Sequence, residues 1–115
     1  MNWTQLTSIS ELEAAITASD ERPVMFFKHS TRCSLSSSTL ARLERKWESE
    51  TEGKLKPFLV DLIRFRPVSN AIAAHTSIEH ESPQVIVLHK GKVLYHATHN
   101  GIVYSDIKES LAIKN

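Results

Sequence analysis

The chain carries one cysteine, Cys33, in the stretch Thr31-Arg32-Cys33-Ser34-Leu35-Ser36. As a thiolate, cysteine attacks disulfide sulfur. As a buried thiol it is a small apolar side chain with little chemistry. Thr31, Arg32, Ser34, Ser36, Ser37 and Ser38 are too polar to line a deeply buried turn. The setting therefore points to a reactive thiol. One cysteine forms no internal disulfide, and the Ser36 hydroxyl cannot resolve a mixed disulfide as a second thiol would. Exchange chemistry here is monothiol, and a separate small thiol must restore the cysteine. The six histidines, His29, His75, His80, His89, His96 and His99, are scattered. His96 and His99 stand three apart, which on a strand sends them to opposite faces. With one cysteine and no nearby acidic pair, no zinc site, and no metal, is expected.

A reactive thiol needs a strand that stops and a helix that starts. Val24-Met25-Phe26-Phe27 is a continuous apolar run, the mark of a strand buried on both faces. Lys28, His29 and a polar turn follow. From Ser34 a helix is expected, with Leu40, Leu43 and Trp47 at i, i+3, i+7 as its buried stripe. Arg42, Glu44, Arg45, Lys46 and Glu48 would form its solvated faces. Cys33 then lies at a helix start, where free amides and the positive dipole end favour an anion. The dipole contributes ~0.3–1 kcal/mol, so firmer support for a thiolate needs direct donors. The amides of Leu35 and Ser36, the Ser36 hydroxyl and the neighbouring Arg32 charge are the candidates.

The rest of the chain supplies the scaffold. Ser10 and Glu13 have capping-box spacing, and Leu12, Ala15 and Ile16 give a helix over 9–19. A strand covers 58–62. Pro67 opens a helix in which Val68, Ala71, Ile72 and His75 share a stripe, with His75 a packed or rim residue. Strands at 85–89 and 93–97 flank Lys90-Gly91, a tight hairpin signal. Val103, Ile107 and Leu111 mark a last helix. The order α-β-α-β-α-β-β-α combines a right-handed parallel crossover with a closing antiparallel hairpin. This is an α/β fold: a mixed four- to five-stranded sheet flanked by helices on both faces. No linker or repeat divides the chain, so residues 1–115 read as one domain.

Composition narrows the function classes. The 115 residues carry 14 basic and 13 acidic side chains, a net charge of +1, which gives no electrostatic footprint for nucleic acid. No apolar run approaches the ~18–20 residues that span a membrane. The first residues lack a signal-peptide pattern, and the lone cysteine suits a reducing compartment. A cytoplasmic monomer with no nucleic-acid or membrane partner is expected.

A strand, then Arg32-Cys33-Ser34-Leu35-Ser36, then a helix resembles the thioredoxin fold, with Cys-x-x-Ser in place of Cys-x-x-Cys. That resemblance implies a cis-proline loop opposite the thiol, and Ser82-Pro83, just before the strand at 85, occupies its place. Four segments together are similar to the YtxJ-type monothiol bacilliredoxins: Thr31 to Ser36, Arg66-Pro67-Val68-Ser69-Asn70, His80-Glu81-Ser82-Pro83-Gln84, and His96-Ala97-Thr98-His99. The family carries Thr-Arg-Cys-Pro-Ile-Ser at the active turn. Ser34 and Leu35 depart from it, and Ser34 returns an amide to the helix start.

The resemblance implies removal of bacillithiol, a small thiol that some bacteria use where others use glutathione, from mixed disulfides on client proteins. Cys33 would be the nucleophile, supported by Arg32, Ser34, Leu35 and Ser36. Thr31, His80, Ser82 and Pro83 would bind substrate. Bacillithiol would be co-substrate, with no resident cofactor. Two alternatives stand beside this reading. One is an iron–sulfur carrier like the monothiol glutaredoxins, whose turn has a glycine where this chain has Ser34. The other is a thioredoxin-like peptide-binding module without catalysis.

Overall fold

The computed structural model describes residues 1–112; residues 113–115, the end of the expected domain, lie outside them. Five strands form one sheet: β1 (Thr4–Gln5), β2 (Val24–His29), β3 (Lys56–Asp61), β4 (Gln84–His89) and β5 (Lys92–Thr98). Their spatial order is β1-β3-β2-β4-β5. β1 and β2 run parallel to β3, β4 runs antiparallel to β2, and β5 antiparallel to β4. The helices are α1 (Ile9–Ala18), α2 (Ser34–Lys46), α3 (Ser49–Glu52), α4 (Arg66–Thr76) and α5 (Tyr104–Ala112).

β2 lies in the middle because both its faces are apolar. Val24 and Phe26 join Leu12, Ala15, Val68 and Ile72, so α1 and α4 cover one face. Met25 and Phe27 join Leu43, Ile107 and Leu111, so α2 and α5 cover the other. The alternation that fills two cores also fixes where the next two side chains go. Lys28 continues the α4 face, and His29 the α2 face.

Several boundaries differ from the sequence expectation. β1 adds a fifth strand that pattern does not reveal, since Thr4 and Gln5 are both exposed and only the pairing with Phe58 and Leu59 defines it. The capping box of α1 sits two residues earlier than expected. Ser8 accepts from the Glu11 amide, and the Glu11 carboxylate accepts from the Thr7 amide and hydroxyl. Trp47 is outside α2, in extended backbone (ψ 125°), with its ring 5.4 Å from that of Tyr104. Its spacing reported burial rather than helix.

The β4–β5 turn has positive φ at Lys90 (56°) and Gly91 (74°), as a two-residue type I′ hairpin requires. Buried Ser19, the C-cap of α1, holds this turn. Its carbonyl accepts from the Lys90 amide at 2.8 Å, and its hydroxyl accepts from the Gly91 amide at 2.9 Å.

Candidate active site

Cys33 is the N-cap of α2. It is half-buried and free. Its amide donates to the Ser30 carbonyl at 3.2 Å, and its carbonyl accepts the first helical bond, from Ser37, at 3.1 Å. The turn is therefore pinned through backbone on both sides of the sulfur. The amides of residues 34 to 36 belong to the helix's first turn, where no carbonyl precedes them. The Cys33 side chain makes no capping hydrogen bond, so the expected direct donation from the Leu35 and Ser36 amides is not formed here. Thr31, Arg32 and Ser34 are exposed and Leu35 is half-buried.

Ser36 does something other than what its spacing suggested. It is fully buried. Its hydroxyl accepts from the Ser30 amide at 3.1 Å and lies 2.7 Å from His29 Nδ1. It thus ties the start of α2 to the end of β2, and its bonding partners are backbone and imidazole, not sulfur. His29 is half-buried, with its ring 6.2 Å from that of Phe27. Burial holds the His29 imidazole below the usual histidine value, against the opposing pull of Asp61 and Glu44. At neutral pH the ring is neutral, able to hold or pass one proton beside the thiol turn.

On the other face of β2 lies a cationic cluster. Lys28 is fully buried. Its ammonium donates to the Ser69 carbonyl at 3.0 Å and stands 3.4 Å from His80 Nδ1. Ser69 Oγ is 3.0 Å from the same nitrogen, and Arg66 Nη1 is 3.5 Å from His80 Nε2. Burial, aided by the Arg66 charge, lowers Lys28 to about 8. His80 is held below its usual value by burial and then by the Lys28 and Arg66 charges, with Glu81 opposing.

His80 leads into the loop before β4. The Ser82–Pro83 peptide bond is cis. Pro83 is buried, and its carbonyl accepts from the His99 amide at 3.0 Å. The Ser82 hydroxyl is buried with no hydrogen-bond partner. Lys28 pairs with Gln84 across the β2–β4 ladder. This loop therefore meets the end of β2 from which the Cys33 turn departs. Residues 31–36 and 80–83 thus lie at one end of the sheet. The sequence did not single out Lys28, His29, Arg66 or Ser69. Strand alternation is the signal that could have found the first two, since it sends them inward beneath α4 and α2.

His75 is exposed, 3.3 Å from the Gly91 carbonyl. His99 stands 3.9 Å from Glu81. Among the described residues no three His, Cys, Asp or Glu side chains gather in a group that could hold a metal. No described helix is long and apolar enough to cross a membrane.

The family model for "Monothiol bacilliredoxin BrxC" matches residues 4–107. The chain belongs to this family. Among solved structures it is similar to an oxidoreductase with a thioredoxin fold, at 26% identity and a TM-score of 0.78, over 92% of this chain and 90% of that one. It also resembles thioredoxin from Trypanosoma brucei brucei, at 16% identity and TM-score 0.76 over 99% and 93% of the two chains. Malassezia sympodialis thioredoxin aligns at 12% identity and TM-score 0.75 over 97% and 90%. The last two show the fold alone. This bacilliredoxin is a thiol–disulfide oxidoreductase of the thioredoxin fold, and its one cysteine makes it monothiol.

Proposed function

We propose that this bacilliredoxin removes bacillithiol from mixed disulfides on client proteins. The observation that carries the reading is Cys33 itself: a half-exposed thiol at the start of α2, held by a pinned turn, in a chain of the monothiol bacilliredoxin family. The Cys33 thiolate attacks the bacillithiol sulfur of the mixed disulfide. One S–S bond forms between Cys33 and bacillithiol as the bond to the client breaks. The client sulfur leaves with the electron pair and takes up a proton. A second small thiol then attacks the Cys33 adduct and regenerates the enzyme. His29, neutral and tied to Ser36, is placed to buffer the proton at the thiol turn. An extended client segment would pair with the backbone around Ser82 as an added strand. The protein would act as a monomer on cytoplasmic clients, with no resident cofactor and no nucleic-acid or membrane partner.

The test takes a client carrying a bacillithiol mixed disulfide and adds the reduced protein. The client should be freed, and one bacillithiol should appear on Cys33 by intact mass. The adduct should persist until a second thiol is supplied. An adduct that vanishes without added thiol overturns the monothiol mechanism. Glutathione-capped client cleared far faster than bacillithiol-capped client overturns the substrate assignment.

A further inference from the structure

The Lys28 cluster holds more positive charge than its surroundings answer. Lys28 bonds only to neutral groups, the Arg66 guanidinium stands against the His80 ring, and no carboxylate lies within ion-pair distance of either cation among the described residues. The nearby acid, Glu81, has its carboxylate 3.9 Å from His99 instead. An ammonium beside His80 Nδ1 favours a lone pair on that nitrogen, which puts the ring proton on Nε2. Nε2–H then faces Arg66 Nη1 at 3.5 Å. Both are donors, so this contact is not a hydrogen bond. Two donors converge where an acceptor would fit. Arg66 is exposed and His80 half-buried, so an acceptor can arrive from solvent while Lys28 supplies charge from behind.

The cluster also lies at the end of the sheet from which the Cys33 turn departs. Arg66 begins α4 as Cys33 precedes α2, and these helices follow the C-terminal ends of the adjacent parallel strands β3 and β2. In open α/β sheets that edge is where ligands bind. Guanidinium and imidazole N–H groups recognise a carboxylate by charge-assisted hydrogen bonds.

We propose that Arg66 and His80 Nε2–H, backed by Lys28, form a subsite for a carboxylate of the small thiol that Cys33 exchanges. The inference rests on the reading of the protein as a thiol-removing enzyme, and it adds which chemical group of the thiol is recognised.

The experiment measures rate constants for freeing one uncharged cysteine peptide from two caps, bacillithiol and bacillithiol with all of its carboxyl groups methyl-esterified. The acid-to-ester ratio should fall about tenfold in Arg66→Gln, the scale of one charge-assisted hydrogen bond. It should fall further in Arg66→Glu. Arg64→Gln, an exposed cation two residues away, should leave the ratio where it is. In a third arm an acidic peptide is capped with neutral 2-mercaptoethanol, and Arg66→Gln should not change its rate. Wild type that frees neither bacillithiol form overturns the functional reading and the subsite with it. Wild type with a ratio near one, or a ratio unmoved in Arg66→Gln, overturns the subsite while thiol exchange stands. A loss confined to the acidic peptide reassigns the site to the client and overturns recognition of the small thiol.

Discussion

Lys28 and His29 are neighbours at the end of the same strand, and the pleat sends them into opposite halves of the molecule. On the α2 side, His29, Ser36 and the Ser30 amide close a short neutral network under the thiol turn. On the α4 side, Lys28, Ser69, His80 and Arg66 form a network with two cations and no anion. Each network has a fully buried member, Ser36 on one side and Lys28 on the other, so burial alone does not separate them. What differs is whether donors and acceptors balance. The balanced side is built to hold the thiol turn still. The unbalanced side carries a standing electrostatic cost, because burial disfavours an ammonium without a counter-ion.

Removing the sulfur breaks the comparison most completely. Cys33→Ala should abolish freeing of any capped client, since no other side chain supplies a sulfur nucleophile. Its unfolding free energy should stay within about 1 kcal/mol of wild type, because the sulfur makes no capping bond. Residual exchange in this variant would mean that the chemistry lies elsewhere.

Lys28 gives the next largest effect, and its sign follows from the burial of an ammonium. Its folded value is about 8, below the usual lysine value. Between pH 8 and 10 the unfolded chain keeps a proton that the folded chain has lost. Stability should therefore rise with pH across that window, by on the order of 2 kcal/mol. In Lys28→Met the rise should disappear. Denaturant titrations at several pH values read it directly, and a wild-type curve that is flat or falling from pH 8 to 10 would contradict a desolvated Lys28.

Ser36→Ala tests the balanced side. It strands the half-buried Ser30 amide and one imidazole nitrogen, so a loss of about 1–3 kcal/mol is expected. Ser36→Thr, which keeps a hydroxyl at that position, should lose less if its methyl is accommodated. A neutral result for Ser36→Ala would show that the network does not hold the turn.

Arg32→Gln should matter least. Arg32 is exposed beside Cys33, and its charge is screened over a Debye length of ~8 Å at physiological salt. Exchange rates should change by about twofold or less, and raising the salt should erase the difference. A larger drop would make Arg32 a partner of the thiolate rather than a bystander.

The sequence made the scaffold legible wherever a local rule was strong enough. The run Val24 to Phe27 marked a strand with two buried faces. Lys90-Gly91 marked a hairpin because few residues other than glycine tolerate positive φ. The polar turn around Cys33 marked the thiol. Lys28 was not legible in the same way. A single lysine after an apolar run reads as the end of a strand, and its burial depends on Ser69 and His80, which arrive 41 and 52 positions later. Ser36 was misread for a related reason. Its distance from Cys33 along the helix suggested a bond to sulfur, whereas the end of β2 offered a nearer acceptor and donor. The capping box of α1 slipped by two residues because Ser8 and Ser10 both offer a cap, and Thr7 decides between them by bonding to Glu11.

The clasp between Ser19 and the β4–β5 turn also sets a timetable. A ribosome delivers Val24 to His29 long before Gln84 to His89, and the intervening stretch takes roughly 3–11 s at ordinary elongation rates. Until then one edge of the central strand β2 has no partner, and the end of α1 lacks the amides of Lys90 and Gly91. An open apolar edge is a template for misassociation. The nascent protein therefore passes through a vulnerable interval that ends only when its closing hairpin emerges, and the cell must keep its neighbours away for those seconds.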